Sequence, residues 1–188
     1  MPKTNSNSAE IQQLRSALLH DGMMTYPLAM QAIAEFRHEV FSILEGVAKP
    51  RARAISQLVG DVKFERYSDE ADAFIDGPDT SLSVITNGPC QFYISVWWQD
   101  VDRHPGPVRV GACIYFNKRS MFERVDKSLQ DRFGSKFTTD DKDWGCYLEQ
   151  AIEHDQTDQL ESALGKVTDR WIKMLRIVNV RKLIRSKQ

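Results

Sequence analysis

Asp100, Asp102 and His104 stand at alternate positions in Asp100-Val101-Asp102-Arg103-His104. Alternation in an extended chain turns two carboxylates and an imidazole to one side. There they could hold a divalent ion and serve a metal-dependent hydrolase or nuclease. No second ligand cluster has metal-site spacing. Asp, Arg and Pro are also common where a strand runs into a turn, so a solvated loop is the favoured reading of this segment.

Other constellations fail on spacing. His38-Glu39-Val40-Phe41-Ser42 begins like a zinc-protease helix, but Ser42 stands where the second histidine is needed. Glu35 and His38 sit three apart, as in half of a di-iron helix, and no second pair completes the set. Asp61-Val62-Lys63 and Asp140-Asp141-Lys142 match a loose nuclease triplet. The first precedes Pro78-Asp79 in the wrong order, and the second falls in a turn. There is no phosphate-binding G-x-x-x-x-G-K-[ST] loop, no G-x-G-x-x-G after a strand and no G-x-S-x-G elbow. No catalytic residue and no cofactor is therefore expected.

The elements that would carry any site follow from composition and period. The 188 residues are 41% hydrophobic and 27% charged, with a net charge of −1. A chain of this length buries roughly 70% of its unfolded surface and needs no metal or disulfide to fold. Near-neutrality lacks the basic excess that marks many nucleic-acid binders. Cys90, Cys113 and Cys146 form no C-x-x-C pair and read as buried free thiols of a reducing compartment. The polar start, Met1 to Ser8, is not a signal peptide, and no apolar run would span a membrane. A cytoplasmic protein is expected.

Residues 1–8 read as a flexible tail, 9–180 as one α+β domain and 181–188 as a basic tail. Ser8 caps a first helix that ends at Asp21-Gly22. A second starts at Tyr26-Pro27 and carries Leu28, Ala32, Ile33, Phe36, Val40, Ile43, Leu44 and Val47. Pro50 blocks it, and a short helix over Ala52–Val59 follows. The period then falls to two. Val62 and Phe64 mark a strand, and an acidic loop covers Asp69–Asp79. Leu82–Thr86, Gln91–Gln99 and Val108–Phe116 form an antiparallel meander around Asn87-Gly88-Pro89 and Pro105-Gly106-Pro107. Ser120 and Glu123 suggest a capping box for a helix ended by Gly134. A strand over Trp144–Glu149 and a long helix from Thr157 to Val178 complete the fold. The expected class is α+β: a central, mainly antiparallel sheet of about five strands, with N-terminal helices and a long C-terminal helix packed on it.

Two surfaces stand out. Tyr93, Trp97 and Tyr115 share one face of the meander, beside Gln91, Ser95, Arg109 and Cys113. Such aromatics could stack on bases or anchor a protein partner. Two sets of amphipathic helices need two places to pack, so the N-terminal helices are expected to cover this face. The second surface is basic: residues 166–188 carry Lys166, Arg170, Lys173, Arg176, Arg181, Lys182, Arg185 and Lys187 against Asp169. Acids early and bases late suit any helix dipole. Arg181, Lys182 and Arg185 lie beyond the strong helical pattern and are the nucleic-acid-binding candidates.

The reading that best fits is a non-catalytic intracellular protein-interaction module of the inhibitor, immunity or accessory-subunit type. Its partner is a protein, a second copy of the chain included, met by the aromatic face or the acidic turns.

Overall fold

The computed structural model describes residues 12–13, 16, 22–68, 80–86, 90–98, 108–153 and 158–185. The expected first helix, the acidic loop 69–79, the turn 87–89 and the segment holding Asp100, Asp102 and His104 lie outside them, apart from residues 12, 13 and 16, which are helical. The class is α+β, with one antiparallel sheet and helices towards both ends of the chain. Two compact units are distinguished, Met1–Val40 and Phe41–Gln188.

In the first unit the described residues are helical. Those from Gly22 on open α1 (Gly22–Val59). The stripe expected to be core is not buried along its length: Leu28 is 64% exposed, and Ile33 and Phe36 are also exposed. Burial begins at Val40. Helical spacing places these side chains on one face but does not supply a surface to cover it.

The second unit holds the sheet. α1 does not stop at Pro50 but runs unbroken to Val59. Proline removes one helical hydrogen bond and costs ~3 kcal/mol in a helix interior. Here buried residues on both sides, Leu44, Val47 and Ala48 before it and Ile55, Leu58 and Val59 after it, hold the two halves in one packed layer. Gly60, at φ 104°, ends the helix.

The six strands are β1 (Phe64–Ser68), β2 (Thr80–Thr86), β3 (Cys90–Trp98), β4 (Val108–Phe116), β5 (Thr138–Asp140) and β6 (Gly145–Ile152). Their spatial order is β1-β2-β3-β4-β6-β5, and every pair is antiparallel. α2 (Arg119–Phe133) follows β4, and Gly134, at φ 57°, terminates it as expected. The capping box does not form. Lys118 is the N-cap, no side chain caps the helix, and Glu123 instead accepts from Arg119 Nε at 2.9 Å.

α3 (Leu160–Ile177) is the main helix of the core and packs on β3, β4 and β6. It buries Leu164, Val167, Trp171 and Leu175. The C-terminal part of α1 joins this layer. Arg51 grips Asp169 with two 2.8 Å hydrogen bonds, and Arg66 Nε donates to Glu45 at 2.6 Å while its guanidinium stands 5.3 Å from the Phe41 ring centre. The expected basic tail is helical as far as Arg185. Asn179, at φ 53°, breaks the chain after α3, and α4 (Val180–Arg185) follows, with Val180 and Ile184 buried. Those two residues, four apart, give α4 a one-turn apolar stripe against α2 and α3.

The helices of Phe41–Gln188 thus share one face of the sheet, rather than the two faces expected. That face is Val84, Phe92, Ile94, Val96, Val110, Ala112, Ile114 and Leu148, all buried. No helix among this unit's described residues covers the opposite face.

Candidate functional site

Strand alternation builds the open face row by row. Tyr67 lies beside Ser83, Ser83 beside Ser95, Ser95 beside Gly111, and Gly111 beside Glu149. The next row sets Tyr93 beside Cys113 and Cys113 beside Tyr147. Flanking rows pair Gln91 with Tyr115 and Trp97 with Arg109. β5 adds Asp140 opposite Gly145 at one edge. The structure therefore brings Tyr93, Trp97 and Tyr115 together, and it adds Tyr67 and Tyr147 to them.

These rings line an open cleft of about 640 Å³ together with Arg109, Asp140, Asp143 and Glu149. They meet edge to face. Tyr67 and Tyr93 have centroids 6.4 Å apart, Tyr93 and Tyr115 5.4 Å, and Trp97 and Tyr147 6.5 Å, with interplanar angles of 82–85°. Two glycines let the rings lie close to the sheet. A Cβ at Gly111 would stand 2.6 Å from the Trp97 ring and 2.8 Å from the Leu148 carbonyl oxygen, and one at Gly145 would run into the Tyr115 ring.

The floor is polar, and all but one of its buried polar groups described below are paired. The Ser83 and Ser95 hydroxyls are buried and 2.8 Å apart. The Tyr93 hydroxyl donates to Gln91 Oε1 at 2.7 Å. Arg109 Nη1 donates to Glu149 Oε1 at 2.5 Å, while Arg109 Nε is buried without a hydrogen-bond partner. Asp140 caps its own turn, accepting from the Lys142 and Asp143 amides at 3.1 Å.

Burial pushes the Tyr93, Tyr115 and Tyr147 phenols above their usual range, Tyr115 the furthest. Burial also raises the Cys113 thiol to about 12. At neutral pH the cleft therefore presents protonated phenols and a protonated thiol. A thiol held protonated is a poor nucleophile, and the two serines face each other. Among the described residues no group of three or more His, Cys, Asp or Glu could hold a metal. The arrangement suits binding: ring faces, hydroxyls and carboxylates share one face of the sheet.

No family model, curated protein or solved structure matches the chain. No helix among the described residues is long and apolar enough to cross a membrane.

Arg181 and Lys182 sit on α4 with Arg185, in the helical layer and away from the rings. With Asn179 these three line a separate open cleft of about 460 Å³. Arg181 Nη1 donates to the Gln57 carbonyl oxygen at 3.4 Å, and its Nε is buried without a partner. Sequence reasoning missed Tyr67 because the charged pair Glu65-Arg66 hides the last turns of alternation in β1. Tyr147 and Glu149 were readable from alternation in β6. What joins them to the aromatic trio is the β4–β6 register, which no local pattern contains.

Proposed function

We propose that this chain is a non-catalytic intracellular protein-interaction module that binds its partner through the open face of its sheet. One observation carries the reading: five aromatic rings, none fully buried, line one open cleft on a sheet face that no described helix of this unit covers. Tyr and Trp supply large contact area at low entropic cost and dominate interface hot spots. The three free, buried cysteines fit a reducing compartment.

The test is capture from nuclease-treated lysate with wild type, Tyr67→Ala/Trp97→Ala and Lys182→Ala/Arg185→Ala. A protein retained by wild type and by the α4 variant, and lost from the face variant, supports the reading. Retention that survives loss of the two rings contradicts it.

A second reading has its own observation. Among the described residues the α4 cleft is lined by three bases and no carboxylate, which suits a phosphate backbone. Oligonucleotide binding that weakens steeply with salt and disappears in Lys182→Ala/Arg185→Ala would move function there.

A further inference from the structure

The open cleft has a definite charge. Among its described lining residues Arg109 is the one cation, against Asp140, Asp143 and Glu149. Arg109 is already engaged by Glu149. Among the described residues neither Asp140 nor Asp143 has a cationic partner. We propose that the cleft takes the arginine or lysine side chain of an extended basic polypeptide segment, held over the Tyr115 and Tyr147 rings by Asp140 and Asp143. The inference rests on the reading of this face as the binding surface and adds the chemistry of its occupant.

An anion would meet uncompensated carboxylates. An apolar occupant would strip water from them without replacing its hydrogen bonds, which is costly. A cation satisfies both kinds of group, because ring faces attract it and the carboxylates neutralise it. Guanidinium is favoured over ammonium, since its plane stacks on a ring while its fork meets a carboxylate. Rings and carboxylates are close enough to influence each other: the negative charge of Asp140 and Asp143 adds to burial in raising the Tyr115 phenol.

The occupant is a polypeptide rather than a small amine because of the cleft's reach. Its lining runs from Tyr67 on β1, at one edge of the sheet, to Asp140 on β5 at the other. Five strand spacings cover about 24 Å, the length of roughly seven extended residues.

The probes are fluorescein-labelled octapeptides of Gly and Ser bearing two arginines, two lysines, two glutamines or two glutamates, plus a twelve-residue oligothymidine. Each is titrated into the full chain at low and high salt. The arginine peptide is expected to bind at least about tenfold more tightly than the glutamine peptide, and to weaken with salt. The exposed-site variant Asp143→Lys and the conservative pair Asp140→Asn/Asp143→Asn should each lower that affinity about tenfold. Thermal melting of each variant reports whether the fold is kept, and Lys127→Ala, at an exposed position on α2, should bind like wild type. Equal binding of the arginine and glutamine peptides would overturn the cationic occupant while leaving the face as a binding surface. Oligothymidine binding lost on Tyr115→Ala would overturn it in favour of a stacked nucleic acid. If no peptide binds, the inference fails; if lysate capture is also indifferent to Tyr67 and Trp97, the underlying reading fails with it.

Discussion

The two faces of the sheet are made by the same strands and differ at every second residue. The covered face is aliphatic and aromatic hydrocarbon: Phe92, Ile94, Val96, Val110, Ala112 and Ile114. The open face alternates with it and carries Tyr93, Ser95, Trp97, Arg109, Gly111, Cys113 and Tyr115. The first set has only shape to offer a helix. The second mixes aromatic bodies that carry polar tips with small and polar residues, a composition compatible with contact with water. Strand alternation thus separates what holds the protein together from what it presents.

Substitutions should respect that division. The largest stability loss belongs to the covered side. Trp171, fully buried on α3 and 6.1 Å from the Phe137 ring, should cost about 3–5 kcal/mol on change to Ala in urea unfolding. Tyr67→Ala, at a site 43% exposed, should cost less than about 1 kcal/mol while abolishing partner capture. Equal losses at the two sites would mean that the two faces do not differ in what they contribute to stability.

Gly145→Ala comes next, at about 1–3 kcal/mol, because the new methyl meets the Tyr115 ring. In a Tyr115→Ala background most of that penalty should vanish, which a double-mutant cycle would show. Ser83→Ala should cost about 1–2 kcal/mol by stranding the Ser95 hydroxyl, whereas Ser83→Ala/Ser95→Ala should be closer to neutral. Additive losses would mean that the two hydroxyls are not each other's partners.

Alkali should act on both faces at once. Burial raises Cys90, on the covered face, and Cys113, on the open one, from 9.0 to about 12. Each thiol stays protonated in the folded state while its unfolded counterpart ionises. Their contribution is complete below about pH 9 and falls as pH rises towards 12. Urea midpoints measured between pH 8 and 11 should decline with a steepening slope, and Cys90→Ala should flatten it.

Much of this division was legible in the residues. Alternation placed Tyr93, Trp97 and Tyr115 together, and the turn residues framed β2, β3 and β4. Which face the helices would cover was not legible, because an amphipathic stripe records that a helix packs and not on what. The same limit explains Leu28, Ile33 and Phe36, which follow a core-like period and are exposed. Pro50 is the converse case: a local stop signal overruled by apolar contacts on either side. Asp140 and Asp143 read as a charged turn, and only the pairing of β5 with β6 carries them to the rim of the aromatic cleft.

The most direct measurement is hydroxyl-radical footprinting of the chain alone and bound to the partner it retains. Tyr67, Tyr93, Trp97, Tyr115 and Tyr147 should become protected on binding, with labelling at Leu183 on α4 unchanged. Protection along α4 with the five rings still labelled as in the free chain would contradict the open face as the binding surface.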